Sequence, residues 1–164
     1  RENGFINYYG MQRFGTGASP THKVGIELLK GNWAQACKML LAGREDFDKV
    51  KRARDCVIRF IEEAAGAPND GAEGDGGEGK KREDSREADL KQALQALPRG
   101  AIAERSITSA LLSKNATGVK SLIEGLSGIP KTLKLMYLHA YQSYVWNQAA
   151  SKRLESYSNK VAVE

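Results

Sequence analysis

At 164 residues the chain has the size of one ordinary domain or two small packed pieces. Hydrophobic residues make up 41%, enough for a core, which excludes wholesale disorder, and no uncharged apolar run approaches the ~18 residues of a membrane span. The net charge is +5, from 25 basic and 20 acidic side chains, a balance that favours polyanions, nucleic acid the commonest among them.

The chain opens without an initiator methionine, a charged leader or an apolar signal core, as a segment of a longer protein would. Gly4 to Tyr9 reads as a short strand. Ser19-Pro20-Thr21 then signals a helix start, with Val24 and Leu28 one turn apart and Gly31 as the stop. Asn32 is placed to cap the next helix, whose stripe of Trp33, Ala36, Cys37, Leu40 and Leu41 runs to Gly43. From Glu45 a longer amphipathic helix repeats Phe47, Val50, Ala53, Val57, Phe60 and Ile61 at three- and four-residue steps.

Gly66 to Glu87 holds no large apolar side chain and reads as a disordered linker, since nothing in it offsets the entropy of ordering. It carries seven acidic and four basic residues, or −3, which leaves +8 on the remainder. Beyond it, Leu90, Leu94 and Leu97 predict a short helix interrupted by Pro98-Arg99-Gly100, and Ile102, Ile107, Leu111 and Leu112 predict another. Pro130 opens the longest helix, with Leu133, Met136, Tyr137, Ala140, Tyr141, Tyr144 and Val145 on a broad apolar face.

Two constellations carry chemistry. The first, Gly4 to Gly15, gathers aromatic rings, the Asn7 and Gln12 amides and the Arg13 guanidinium. These are the parts needed to stack on an unstacked base, read its edge and hold its phosphate. They would equally serve a strand end whose aromatics fill the core. The second lies on the long helix, where Gln142, Ser143 and Asn147 sit among Tyr137, Tyr141, Tyr144 and Trp146. Polar groups in such company need partners, as in the wall of a site or in a satisfied core helix. Cys37, Cys56, His22 and His139 offer neither a disulfide framework nor metal-ligand spacing, so no metal and a reducing compartment are expected. His22 reads as a turn or backbone hydrogen-bonding residue. The basic helix Lys49 to Arg59 could touch phosphates, but Lys51 and Asp55 at i, i+4 read as partly self-neutralised surface.

Taken together, these segments resemble the TruD-type pseudouridine synthases, in particular their eukaryotic branch. The resemblance rests on Asn7, Gly10, Gln12, Arg13, Phe14 and Gly15 in an N-x-x-G-x-Q-R-F-G pattern. It extends through Gly15-Thr16-Gly17, Thr21-His22 with Gly25, Leu97-Pro98-Arg99-Gly100, Glu104-Arg105-Ser106-Ile107 and the segment Met136 to Asn147. It implies a cofactor-free isomerase that breaks the uridine N1–C1′ bond and rejoins the uracil through C5, after the base leaves its stack. It places Tyr9 as the stacking ring and Asn7 in the site, with Arg13 and Gln12 as further RNA-binding residues. Gln142, Ser143 and Asn147 become candidates for the site wall.

The same resemblance implies an α+β enzyme fragment, predominantly helical in this chain. Residues 1–20 would be a catalytic-core segment, 21–129 an insertion domain containing the 66–87 linker, and 130–164 a helix returning to the core. The family's nucleophilic Asp would lie upstream of Asn7, leaving no catalytic residue here and the fragment alone inactive. Asp46, Asp48 and Asp55 read instead as a solvated helix face, Asp70, Asp75 and Asp84 as linker, and Asp89 as a helix-start residue. RNA, with tRNA foremost, is the implied partner of a monomeric, intracellular protein of nucleus, cytoplasm or both. A helical RNA-binding or protein-interaction module without activity is the rival.

Overall fold

The computed structural model describes residues 7–15, 19–42, 48–66, 78–113 and 118–157, apart from the side chains of Met11 and residues 78–81. Within them lie a 3₁₀ turn, Met11–Arg13, and seven α-helices: α1 Thr21–Lys30, α2 Trp33–Leu41, α3 Asp48–Gly66, α4 Glu78–Ala96, α5 Ile102–Leu111, α6 Val119–Ser127 and α7 Lys131–Tyr157. The chain is therefore predominantly helical, with no strand among the described residues. Of the expected strand Gly4 to Tyr9, residues 4–6 lie outside the described set, and Asn7 to Tyr9 has no β-ladder partner. Gly43, Glu45 and Phe47, expected at the α2–α3 junction, also lie outside it.

One core joins α2 to α6. Cys37 and Leu41 from α2, Val57, Phe60 and Ile61 from α3, Leu90 and Ala93 from α4, Ile107 and Leu111 from α5, and Leu122 and Leu126 from α6 are buried together. The apolar stripes of α2, α3 and α5 are legible as helical periods, and each fully buried Leu, Ile or Val contributes about 1.5–3 kcal/mol. Helix α6 has no counterpart among the expected helices, although Val119, Leu122, Ile123 and Leu126 carry the i, i+3, i+4, i+7 spacing.

The expected linker needs correction over its last ten residues, since α4 begins at Glu78 and runs unbroken to Ala96. Lys, Arg and Glu are good helix formers, and the far end of the same helix docks Leu90 and Ala93 into the core. Arg86 lies with its guanidinium 5.4 Å from the Phe60 ring centroid, so a charged residue covers the core edge. Residues 67–77 of that stretch lie outside the described set.

Three polar residues in succession tie α5 to its neighbours. Glu104 accepts from buried Arg54 on α3 at 3.3 Å. Arg105 Nη1 donates to the carbonyls of Leu94 and Leu97, at 2.8 and 3.1 Å, closing the end of α4. Ser106 Oγ donates to the Gly125 carbonyl on α6 at 2.7 Å. The stretch Glu104 to Ser106 thus has a structural office.

α1 packs chiefly on α7, and α7 also contacts the Met11–Arg13 turn. Gly25 makes this possible: a Cβ there would collide with the Tyr137 carbonyl oxygen and lie 3.0 Å from its carbon. By packing, α1 therefore goes with the N-terminal segment and α7, while α2 to α6 form the second group. The apolar face of α7 is narrower than expected. Tyr137 and Ala140 are buried, but Met136 and Val145 are each 46% exposed. A 27-residue helix touches its neighbours along only part of its circumference.

Candidate functional site

The N-terminal segment lies across α7, where three side chains of that helix hold it. Trp146 Nε1 donates to the Asn7 carbonyl at 2.9 Å. Asn147 Oδ1 accepts from the Tyr9 backbone N–H at 2.9 Å, and Asn147 Nδ2 donates to the Tyr9 carbonyl at 3.0 Å. Tyr8 Oη and Ser151 Oγ share a hydrogen bond of 3.1 Å. Positions 147 and 151 are one turn apart, so both point to the same side of the helix.

This arrangement accounts for Tyr9 having no strand partner among the described residues. The Asn147 amide offers one acceptor and one donor, as a neighbouring peptide would, and so occupies both polar groups of the Tyr9 backbone. The backbone is thereby fixed while the ring is left outside. Tyr9 is 42% exposed, and the Arg13 guanidinium stands 5.3 Å from its centroid. The core-filling alternative for Tyr9 therefore does not hold in this structure. Gln12, Arg13 and Asn7 are also exposed, on the same short segment.

The turn after Tyr9 is closed by the Arg13 N–H on the Gly10 carbonyl, 3.1 Å, and by the Thr21 N–H on the Phe14 carbonyl, 2.9 Å. Gly15 adopts φ +69°, in the left-handed region, with Thr21 Oγ1 2.7 Å from where a Cβ would stand. Beneath the turn the His22 ring stacks on Tyr144, centroids 4.5 Å apart and 6° from parallel, with Phe14 edge-on at 5.4 Å. His22 is thus part of an aromatic stack and not a turn residue. Its Nδ1 is buried without a hydrogen-bond partner, and burial together with nearby Lys23 lowers its pKa.

The three candidates on α7 separate. Asn147 is joined to the N-terminal segment. Ser143 is buried and its hydroxyl donates to the His139 carbonyl of its own helix at 2.8 Å, so its donor is used within α7. Gln142 is exposed. Trp146 and Ser151 complete the clasp, and sequence reasoning does not single them out for it; only their spacing beside Asn147 hints at the role.

Other groups are placed elsewhere. Asp48 and Asp55 are exposed on α3, Asp84 is exposed on α4, and Asp89 pairs with Arg59 at 3.5 Å. Asp46, Asp70 and Asp75 lie outside the described residues. Among the described residues no three His, Cys, Asp or Glu side chains converge as metal ligands, and no helix is long and apolar enough to cross a membrane.

Comparison with known proteins places the chain in one family. The family described as tRNA pseudouridine synthase D (TruD) matches residues 1–67 and 59–164. The chain is 36% identical over 160 residues to the pseudouridylate synthase 7 homolog of Bos taurus, covering 98% of this chain and 20% of that protein. It is 34% identical over 165 residues to the multisubstrate pseudouridine synthase 7 of Schizosaccharomyces pombe, covering 99% and 20%. With the human pseudouridylate synthase PUS7L the identity is 30% over 162 residues, covering 98% and 19%. The chain thus spans about a fifth of the length of these relatives.

Proposed function

Because the chain belongs to the TruD family of pseudouridine synthases, we propose that the protein isomerises uridine to pseudouridine in RNA, with tRNA as the leading substrate. In this reading residues 7–20 and α7 belong to an α+β catalytic core, and α2 to α6 to the insertion domain. Tyr9 is the platform on which the extruded uracil stacks, Asn7 lines the site, and Arg13 and Gln12 hold the surrounding RNA. Asn147 is a positioning residue that acts through the Tyr9 backbone.

The observation that carries this reading is the Asn147–Tyr9 clasp. It rigidifies the peptide while leaving the ring exposed beside a cation, as base stacking with phosphate neutralisation requires. We assign the nucleophile to none of the described Asp residues. Asp48, Asp55 and Asp84 stand on solvated faces and Asp89 is ion-paired, so glycosidic cleavage draws its carboxylate from elsewhere in the protein. The two free thiols, Cys37 and Cys56, fit an intracellular setting.

The test is turnover of uridine-labelled RNA by the full-length protein carrying Tyr9→Ala or Tyr9→Phe, beside thermal stability. A base-stacking contact is worth about 1–3 kcal/mol, so Tyr9→Ala loses about 5- to 150-fold while Tyr9→Phe retains most activity. Normal turnover with a lowered melting temperature overturns the stacking role. RNA binding with no pseudouridine formed by the unaltered full-length protein supports a binding module instead.

A further inference from the structure

α3 and α4 pack on one another, and the groove between them has a volume of about 530 Å³. Its walls are unequal in charge. Lys49, Arg52, Cys56 and Arg59 fall at i, i+3, i+7 and i+10 along α3 and line one side. Asp89 and Gln92 of α4 line the other, with Ala53, Ala93 and Ala96 forming a floor of small apolar side chains. Three cations thus face one carboxylate.

Arg59 is held in place at the rim, 3.5 Å from Asp89, 3.9 Å from Cys56 Sγ and 5.1 Å from the Phe60 centroid. The Asp89 charge is therefore matched by Arg59. Lys49 and Arg52 are exposed and have no ion-pair partner among the described residues. Neither Lys51 nor Asp55, the pair expected to neutralise part of this helix, lines the groove. An open groove with two cations that have no ion-pair partner among the described residues suits chain phosphates better than a single enclosed anion.

We propose that the α3–α4 groove is a second RNA contact, taking the phosphodiester backbone of the substrate away from the Tyr9 face, with Lys49 and Arg52 as its phosphate-binding residues. This rests on RNA being the substrate. The groove contributes affinity that does not depend on base sequence, and Gln92 stands within the same trough as a donor for ribose or phosphate oxygen.

The experiment measures binding of a single-stranded RNA oligonucleotide to the protein over a salt series, for the unaltered chain, Lys49→Gln/Arg52→Gln and Tyr9→Ala. Both altered groove positions are exposed, and melting curves check that the fold is kept. The groove variant is expected to bind about tenfold more weakly at low salt, with the slope of log K against log salt reduced by about 1.4 for two lost phosphates. Tyr9→Ala leaves that slope unchanged. An independent readout needs no variant. Cys56 lines the groove half-buried, with its thiol raised by burial, whereas Cys37 is fully buried with its thiol pushed up to about 12 by desolvation. Alkylation of the folded protein therefore reports Cys56, and RNA should slow it several-fold.

Unchanged affinity and slope in the double variant overturn the proposal. So does protection of Cys56 by inorganic phosphate or an acidic peptide but not by RNA, which would assign the groove to a small anion or to a protein. The outcome is separable from the catalytic assignment. Failure of Tyr9→Ala to affect turnover leaves the salt slope to be read, and an inert groove leaves turnover to be read.

Discussion

Asn147 and Tyr9, 138 positions apart in sequence, are joined by two hydrogen bonds that saturate the Tyr9 backbone with a single side chain. A helix side chain thus does what a neighbouring strand does in a sheet. It sets the position of the Tyr9 ring through the Tyr9 backbone.

That division of labour makes Asn147→Asp informative. The carboxylate still accepts from the Tyr9 N–H, but it has no donor for the Tyr9 carbonyl and repels that oxygen. The clasp is solvent-exposed, so the cost in unfolding free energy is expected to be only about 1 kcal/mol. Turnover should fall by more than about tenfold, because the ring loses its fixed placement. A kcat as high as that of the unaltered enzyme would remove Asn147 from its positioning role.

Gly25→Ala tests how α1 reaches α7. The added methyl meets backbone, the Tyr137 carbonyl, and not a flexible side-chain end. Helix propensity favours Ala over Gly by about 1 kcal/mol, so a bland site would be stabilised. The close approach predicts the reverse, a loss of about 1–3 kcal/mol in denaturant unfolding. A raised midpoint would show that the two helices can separate without cost.

Arg54 and Glu104 join α3 to α5 with side chains only 11% and 16% exposed. Glu104→Ala leaves the guanidinium buried without that carboxylate, and the expected loss is about 3–5 kcal/mol. Substituting both partners by apolar residues of similar size should recover much of it. A Glu104→Ala protein of unchanged stability would mean that other contacts of the guanidinium, or water, replace the carboxylate.

His22 makes the packing of α1 on α7 sensitive to acid. Its pKa is lowered, first by burial and then by Lys23, so the folded state resists the proton that the unfolded chain accepts. Stability is therefore highest above the ordinary histidine pKa of about 6.5 and falls as pH drops through and below it, until the folded state is also protonated. Glu27 has its pKa lowered chiefly by the Asn32 hydrogen bond, so its contribution disappears only at lower pH, below 4.5. Melting temperatures between pH of about 7.5 and about 5 should fall, and His22→Phe, which keeps an aromatic ring against Tyr144, should flatten that fall. An unchanged pH slope in His22→Phe would assign the sensitivity to other groups.

Much of the helical framework is legible in the chain itself. Gly31 ends α1, Pro98 to Gly100 separates α4 from α5, and Pro130 precedes α7, because these residues act on the local backbone wherever they stand. Asn32 shows the boundary of that legibility. It occupies the cap position of α2 as expected, yet its amide makes no cap bond and donates instead to Glu27 at 2.7 Å. The start of α4 is hidden for a related reason. Its lack of apolar residues argues for a linker and the helix propensity of its charged residues for a helix, and the second prevails because the same helix is anchored farther along by Leu90.

The amino-acid sequence by itself determined the periodic faces, the helix stops and the motif residues Asn7, Tyr9, Gln12 and Arg13, since each depends on chemistry within a few neighbours. Only the tertiary structure decided that Tyr9 lies outside the core, that Asn147 and not Ser143 reaches it, that α1 docks on α7, and that Lys49 and Arg52 share a groove with Gln92. Such relations follow from which faces are buried together when distant segments close on one another. Loop closure over about a hundred residues and more leaves no trace in local spacing.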